Sequence, residues 1–70
     1  MKLDVFGVKT LEIVRQNDGW RAFYCGEEGK KRLANDIAIP NDLSESEVVE
    51  FVADIFHEYA TLRHNQVVVL

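Results

Sequence analysis

Two histidines, one cysteine, an acidic row and a short basic run are the side chains of this 70-residue chain with the chemistry to do work. His57-Glu58 begins like a zinc-protease motif, but the second histidine, His64, falls seven residues on. The motif needs four, so that both imidazoles reach one ion. On a continuous helix the two rings stack two turns apart. The plainer reading is a histidine on a polar flank and another at a frayed end. Cys25 stands alone, so it forms no internal disulfide and no zinc spacing. Its strand position and apolar neighbours suit an inert buried thiol better than a reactive one. No glycine-rich phosphate loop follows a strand, and no serine elbow is present. No catalytic residue, metal or cofactor is expected, and the reading leans away from an enzyme.

Glu47, Glu50, Asp54 and Glu58 recur at helical spacing with no lysine among them. Like charges at i+4, as in Glu50/Asp54 and Asp54/Glu58, cost an isolated helix about 0.2–0.5 kcal/mol each. A basic partner would relieve them; a solvated, solubilising face is the plainer account. Catalytic carboxylates need a cleft, which an open helix face does not supply. Lys30-Lys31-Arg32, near Trp20 and Tyr24, has the composition of a small nucleic-acid platform. The run is short and the chain carries a net charge of −4, which argues against nucleic-acid binding.

These side chains are positioned by elements that the pattern spells out. The expected helix runs over 44–63. Ser44 with Glu47 is a capping box, Leu43 and Val48 have the spacing of a hydrophobic staple, and Glu45 and Glu47 suit the positive end of the dipole. Asp42 with Glu45 is a competing box. Arg63 suits the other end, and Asn65 is a candidate stop. At about 100° per residue, Val48, Phe51, Val52, Ile55, Tyr59 and Leu62 form one stripe. Val49, Ala53, Phe56 and Ala60 widen it to roughly 200°, more than one sheet covers.

Before the helix the pattern is that of strands. Alternation predicts strand over 2–15. Gly7 in its middle marks either a bulge in one bent strand or a hairpin turn. A turn at Gly7-Val8 mixes the two faces, which favours the bent strand. Asn17-Asp18-Gly19 is a hairpin signal, because such turns call for positive φ. Strand 20–25 returns with apolar residues on both faces. Gly26-Glu27-Glu28-Gly29 is a second turn. A broken strand over 30–39 ends at Pro40, and the extended tail 66–70 has β-branched character. The expected class is α+β: an antiparallel sheet of three to four strands on one long helix, in the order β-β-β-α, with room for a last strand.

Seventy residues make a single small domain that buries only about 60% of its unfolded surface. With no disulfide or metal, stability rests on core packing or oligomerisation. A hydrophobic fraction of 47% argues against disorder. Charge is split: residues 1–40 hold seven Lys/Arg and six Asp/Glu, and residues 41–70 hold one Arg and six acids. No run approaches the ~20 apolar residues of a membrane span. Met1-Lys2-Leu3-Asp4-Val5 has no apolar signal core, and a lone cysteine suits a reducing compartment, so the expected location is cytoplasmic.

Asp36-Ile37-Ala38-Ile39-Pro40, then Leu43, then Phe56-His57-Glu58-Tyr59-Ala60-Thr61 resemble a family of small uncharacterised bacterial proteins. The likeness extends over almost the whole chain, with the Val5-Phe6-Gly7 start and the Asp18-Gly19-Trp20 turn. It implies a bacterial cytoplasmic protein of unknown function and transfers no catalytic residue.

The function expected from these features is a protein–protein interaction module that self-associates, as a homodimer for instance, or docks on another protein. Its expected surface is Trp20, Tyr24, Val49, Phe56, Val67 and Val69. Lys30, Lys31, Arg32, Glu50, Asp54 and Glu58 are the expected electrostatic contacts. The alternatives are a small-ligand binder or enzyme subunit with an intersubunit pocket near His57, Glu58 and Tyr59, and a weak nucleic-acid binder through the basic edge.

Overall fold

A computed structural model describes residues 1–26 and 29–70. The fold is α+β: five antiparallel strands and one helix. The strands are β1 (Lys2–Val5), β2 (Lys9–Gln16), β3 (Gly19–Cys25), β4 (Lys31–Leu33) and β5 (Val67–Val69). Helix α1 (Glu45–Ile55) and a 3-10 turn (His57–Tyr59) lie between β4 and β5. The sheet order is β4-β3-β2-β1-β5, so the last strand closes beside the first. Five strands replace the three or four expected.

The expected bent strand over 2–15 is two strands joined by a hairpin. Its loop has three residues, Phe6-Gly7-Val8, between the paired Val5 and Lys9, where the turn that mixed the faces had two. Phe6 and Gly7 both have positive φ (51° and 71°). Val8 N–H donates to the Val5 carbonyl (3.0 Å), and Gly7 N–H donates to Asp4 Oδ2 (3.2 Å). The register then sets Leu3 opposite Leu11 and Val5 opposite Lys9. Apolar side chains therefore share a face.

The second hairpin has a two-residue loop, Asn17-Asp18, with Gln16 opposite Gly19. No residue in it has positive φ. Gly19 instead leaves room for the Asn41 side chain, whose Oδ1 would have to shift to admit a Cβ there. The stretch before the helix thus sits directly on this hairpin. Arg15 Nη1 donates to the Asn41 carbonyl (2.8 Å), and the Trp20 indole N–H donates to the Leu43 carbonyl (3.0 Å). The expected turn at Glu27 and Glu28 falls outside the described residues. The expected strand over 30–39 shortens to Lys31–Leu33, and Ile39 beyond it enters the core without pairing.

Helix α1 starts where the capping box predicts. Glu47 N–H donates to Ser44 Oγ, and Ser44 N–H donates to Glu47 Oε1 (2.9 Å). The competing Asp42 box is not used. The far end is a correction: the helix stops at Ile55, eight residues short of Arg63. Its last turn holds no basic residue, and the Glu50/Asp54 repulsion goes unrelieved from within it. The chain tightens through the 3-10 turn and goes extended at Ala60 (φ −65°, ψ 138°). It then folds back through a short loop, in which Thr61 N–H donates to the His64 carbonyl and His64 N–H to Thr61 Oγ1. Pairing of Val67–Val69 with β1 outweighs the helical pattern that carries on past Ile55. Tyr59, Ala60 and Leu62 accordingly leave the helical stripe.

The core lies between the sheet and α1. Leu3, Val5, Leu11, Ile13 and Ala22 project from one sheet face; Val48, Val52 and Phe56 meet them, and Phe6, Ala34 and Ile39 close the sides. The opposite face carries Val14, Phe23, Cys25, Leu33 and Val68, and no layer of the described residues lies over it; these residues are half-buried or exposed.

Candidate functional site

The expected surface residues divide once placed. Phe56 is 8% exposed and belongs to the core. Trp20 is half-buried, spends its N–H on Leu43, and has the Arg15 guanidinium 4.9 Å from its ring centroid. Both residues serve the fold. Val49 is half-buried against the core. Val67 and Val69 stand on the outermost strand.

Tyr24 is the centre of a small polar cluster at one end of the sheet. Its hydroxyl donates to Asp36 Oδ2 (2.8 Å). Burial, and then that bond, raise its pKa above the ordinary phenol value. Lys9 Nζ lies 5.4 Å from the Tyr24 ring centroid, 5.3 Å from Phe56 and 5.2 Å from Tyr59. An ammonium among three rings is held by their quadrupoles. It ties the start of β2 and the end of β3 to the 3-10 turn. Lys9 does not stand out in the sequence, because its partners are scattered at 24, 56 and 59. The one available hint is its odd-numbered place in β2, which it shares with Leu11 and Ile13 on the core face.

The basic run does not make one patch. Side chains alternate across β4, so Lys31 lies on the uncovered face and Arg32 on the helix side, 5.5 Å from Tyr24. Lys31 pairs with Glu12, which holds the Glu12 carboxyl below its ordinary range and raises Lys31. A wide concavity of about 1100 Å³ runs over this corner, lined among others by Lys9, Tyr24, Lys30, Arg32 and Asp36. Glu50, Asp54 and Glu58 are all exposed, the first two on α1 and the third in the 3-10 turn. His57 and His64 are also exposed and do not stack, since neither is on α1. His64 instead packs on the Gly7 turn, where a Cβ would meet its ring at 2.8 Å. Among the described residues no three His, Cys, Asp or Glu side chains gather as a metal site.

The two edges of the sheet differ. At β4, Asn35 N–H caps the Leu33 carbonyl (3.1 Å), and Lys30, Lys31 and Arg32 supply the charge that keeps other strands away. At β5 there is neither. Leu70 N–H donates to the Lys2 carbonyl (2.9 Å), which makes Lys2/Leu70 and Asp4/Val68 the hydrogen-bonded pairs of the β1–β5 ladder. Val67 and Val69 therefore turn their N–H and C=O groups outward. Nothing among the described residues bonds to them. Val68 and Val69 of this strand and the adjoining Leu70 are also exposed.

A family model matches residues 1–70, the full chain. The chain belongs to DUF7661, a domain of unknown function. No curated protein and no solved structure shows a significant match. Among the described residues no helix is long and apolar enough to cross a membrane.

Proposed function

We propose that this DUF7661 chain is a protein–protein interaction module whose occupant is a second copy of itself, acting in a bacterial cytoplasm. The observation that carries the reading is the bare fifth strand. It is uncharged, it has outward backbone groups, and its own Val68 and Val69 and the adjoining Leu70 are exposed. An exposed, uncharged strand edge with apolar side chains is a ready template for another strand. A two-fold dimer satisfies it with the same patch on both copies. The exposed acids Glu50, Asp54 and Glu58 then serve solubility on the helix side. The reading is tested by co-expressing the chain with two different affinity tags. Purification on one tag brings the second tag along at comparable yield if copies associate. Recovery of a single tag, with a distinct cellular protein in stoichiometric amount, shifts the role to hetero-docking.

A second reading is favoured by the corner around Tyr24, where Lys9, Lys30 and Arg32 border an aromatic ring in a wide concavity. That chemistry suits an anion with a planar ring, such as a nucleotide or a short single strand. Binding of single-stranded RNA at low salt, weakened by Arg32→Ala and by added salt, supports it; no shift at low salt removes it.

A further inference from the structure

We propose that β5 pairs with β5 of a second copy, antiparallel, about a two-fold axis through Val68, so that two five-stranded sheets become one. This inference rests on the self-association reading above and names its contact. The outward N–H and C=O groups of Val67 and Val69 are an open half-ladder that a further strand completes, and a two-fold axis normal to the sheet makes that strand antiparallel. The sequence chooses the strand. Val67-Val68-Val69 reads the same in both directions, so antiparallel self-pairing sets valine against valine at every position. The register with Val67 opposite Val69 uses all three residues and makes four backbone hydrogen bonds. A shift of two residues toward the loop sets Val69 opposite Asn65, outside the strand. The other edge of the sheet is excluded as a partner by its lysines and by the capped Leu33 carbonyl.

The register has a sharp consequence. Each Val68 faces its own symmetry mate in a non-hydrogen-bonded pair, with Cα atoms about 4.5 Å apart, close enough for a disulfide. Each Val67 lies diagonal to its mate at about 7–8 Å, too far for one. The test places a single cysteine in a Cys25→Ser background, at Val68 or at Val67, and follows cross-linking under mild oxidation beside sedimentation of the parent chain. Val68→Cys is expected to form a covalent dimer at least roughly tenfold faster than Val67→Cys. Val68→Lys sets two ammonium groups face to face at an exposed position. It is expected to abolish the dimer while circular dichroism stays unchanged. Equal rates at both positions, or a dimer that survives Val68→Lys, overturn the edge pairing but leave self-association standing. A parent chain that sediments as a monomer, with no cross-link at Val68, overturns both.

Discussion

Replacing Gly7 with alanine tests how the first hairpin holds the C-terminal return. Two penalties are legible at this position. A left-handed backbone costs a non-glycine residue about 1–2 kcal/mol, and Gly7 has φ +71°. The new methyl would also sit 2.8 Å from Cγ and Nδ1 of His64. These atoms lie at the base of the side chain, so the whole imidazole must rotate, at about 0.5–1.5 kcal/mol for a strained rotamer. The sum is roughly 1.5–3.5 kcal/mol, large for a chain of this size. At about 4–8 °C per kcal/mol, the melting temperature falls by about 6–28 °C. Urea titration followed by circular dichroism, at one fixed protein concentration, gives the free energy directly. The informative comparison is a double-mutant cycle with His64→Ala, which keeps the backbone bonds to Thr61 and removes the ring. In that background Gly7→Ala should cost only the backbone part, leaving a coupling of about 0.5–1.5 kcal/mol. A Gly7→Ala penalty under about 0.5 kcal/mol, or the same penalty in both backgrounds, refutes the packing of the return loop on this turn.

Three further perturbations probe how the helix and the corner cluster are held. Ser44→Ala removes one arm of the capping box and should cost about 1 kcal/mol by urea denaturation, with Ser44→Asp restoring most of it. Lys9→Met takes the charge from among Tyr24, Phe56 and Tyr59 and should cost about 1 kcal/mol, whereas Lys9→Arg should retain most of the stability. The Glu47 carboxyl is held below its ordinary value by the Ser44 N–H, and Glu12 by Lys31. For both groups the folded pKa lies under the unfolded one. Their contribution is complete above the unfolded value and is lost as pH falls from about 4.5 through the folded one. The double variant Glu12→Gln/Glu47→Gln should therefore flatten the acid limb of the stability profile, measured as urea midpoint against pH.

The elements that the sequence spells out are those fixed by local chemistry. The Ser44/Glu47 box marks the start of α1 because its two hydrogen bonds close within four residues. The fold class follows from alternation before it and a 3.6-residue period within it. The far end of the helix is not legible, because it is decided by a distant event, the pairing of Val67–Val69 with β1. Helical spacing through Tyr59 and Leu62 is therefore misleading. The hairpin at Phe6-Gly7 is hidden for a different reason: it places a bulky, buried phenylalanine at positive φ, where propensity argues against it. Trp20 reads as a surface aromatic until its N–H is seen on Leu43. Lys9 gives almost no signal, since its cage is assembled from three separate elements. The bare edge at β5 is half legible: the valine run is plain, but only the sheet order shows that one side of it stays open.

Sedimentation equilibrium of the full chain over a wide concentration range, under reducing conditions, bears most directly on self-association. A self-associating chain rises reversibly from one chain mass to twice that mass, and Val68→Lys loses the rise. A single chain mass throughout, including at the highest soluble concentration, contradicts self-association.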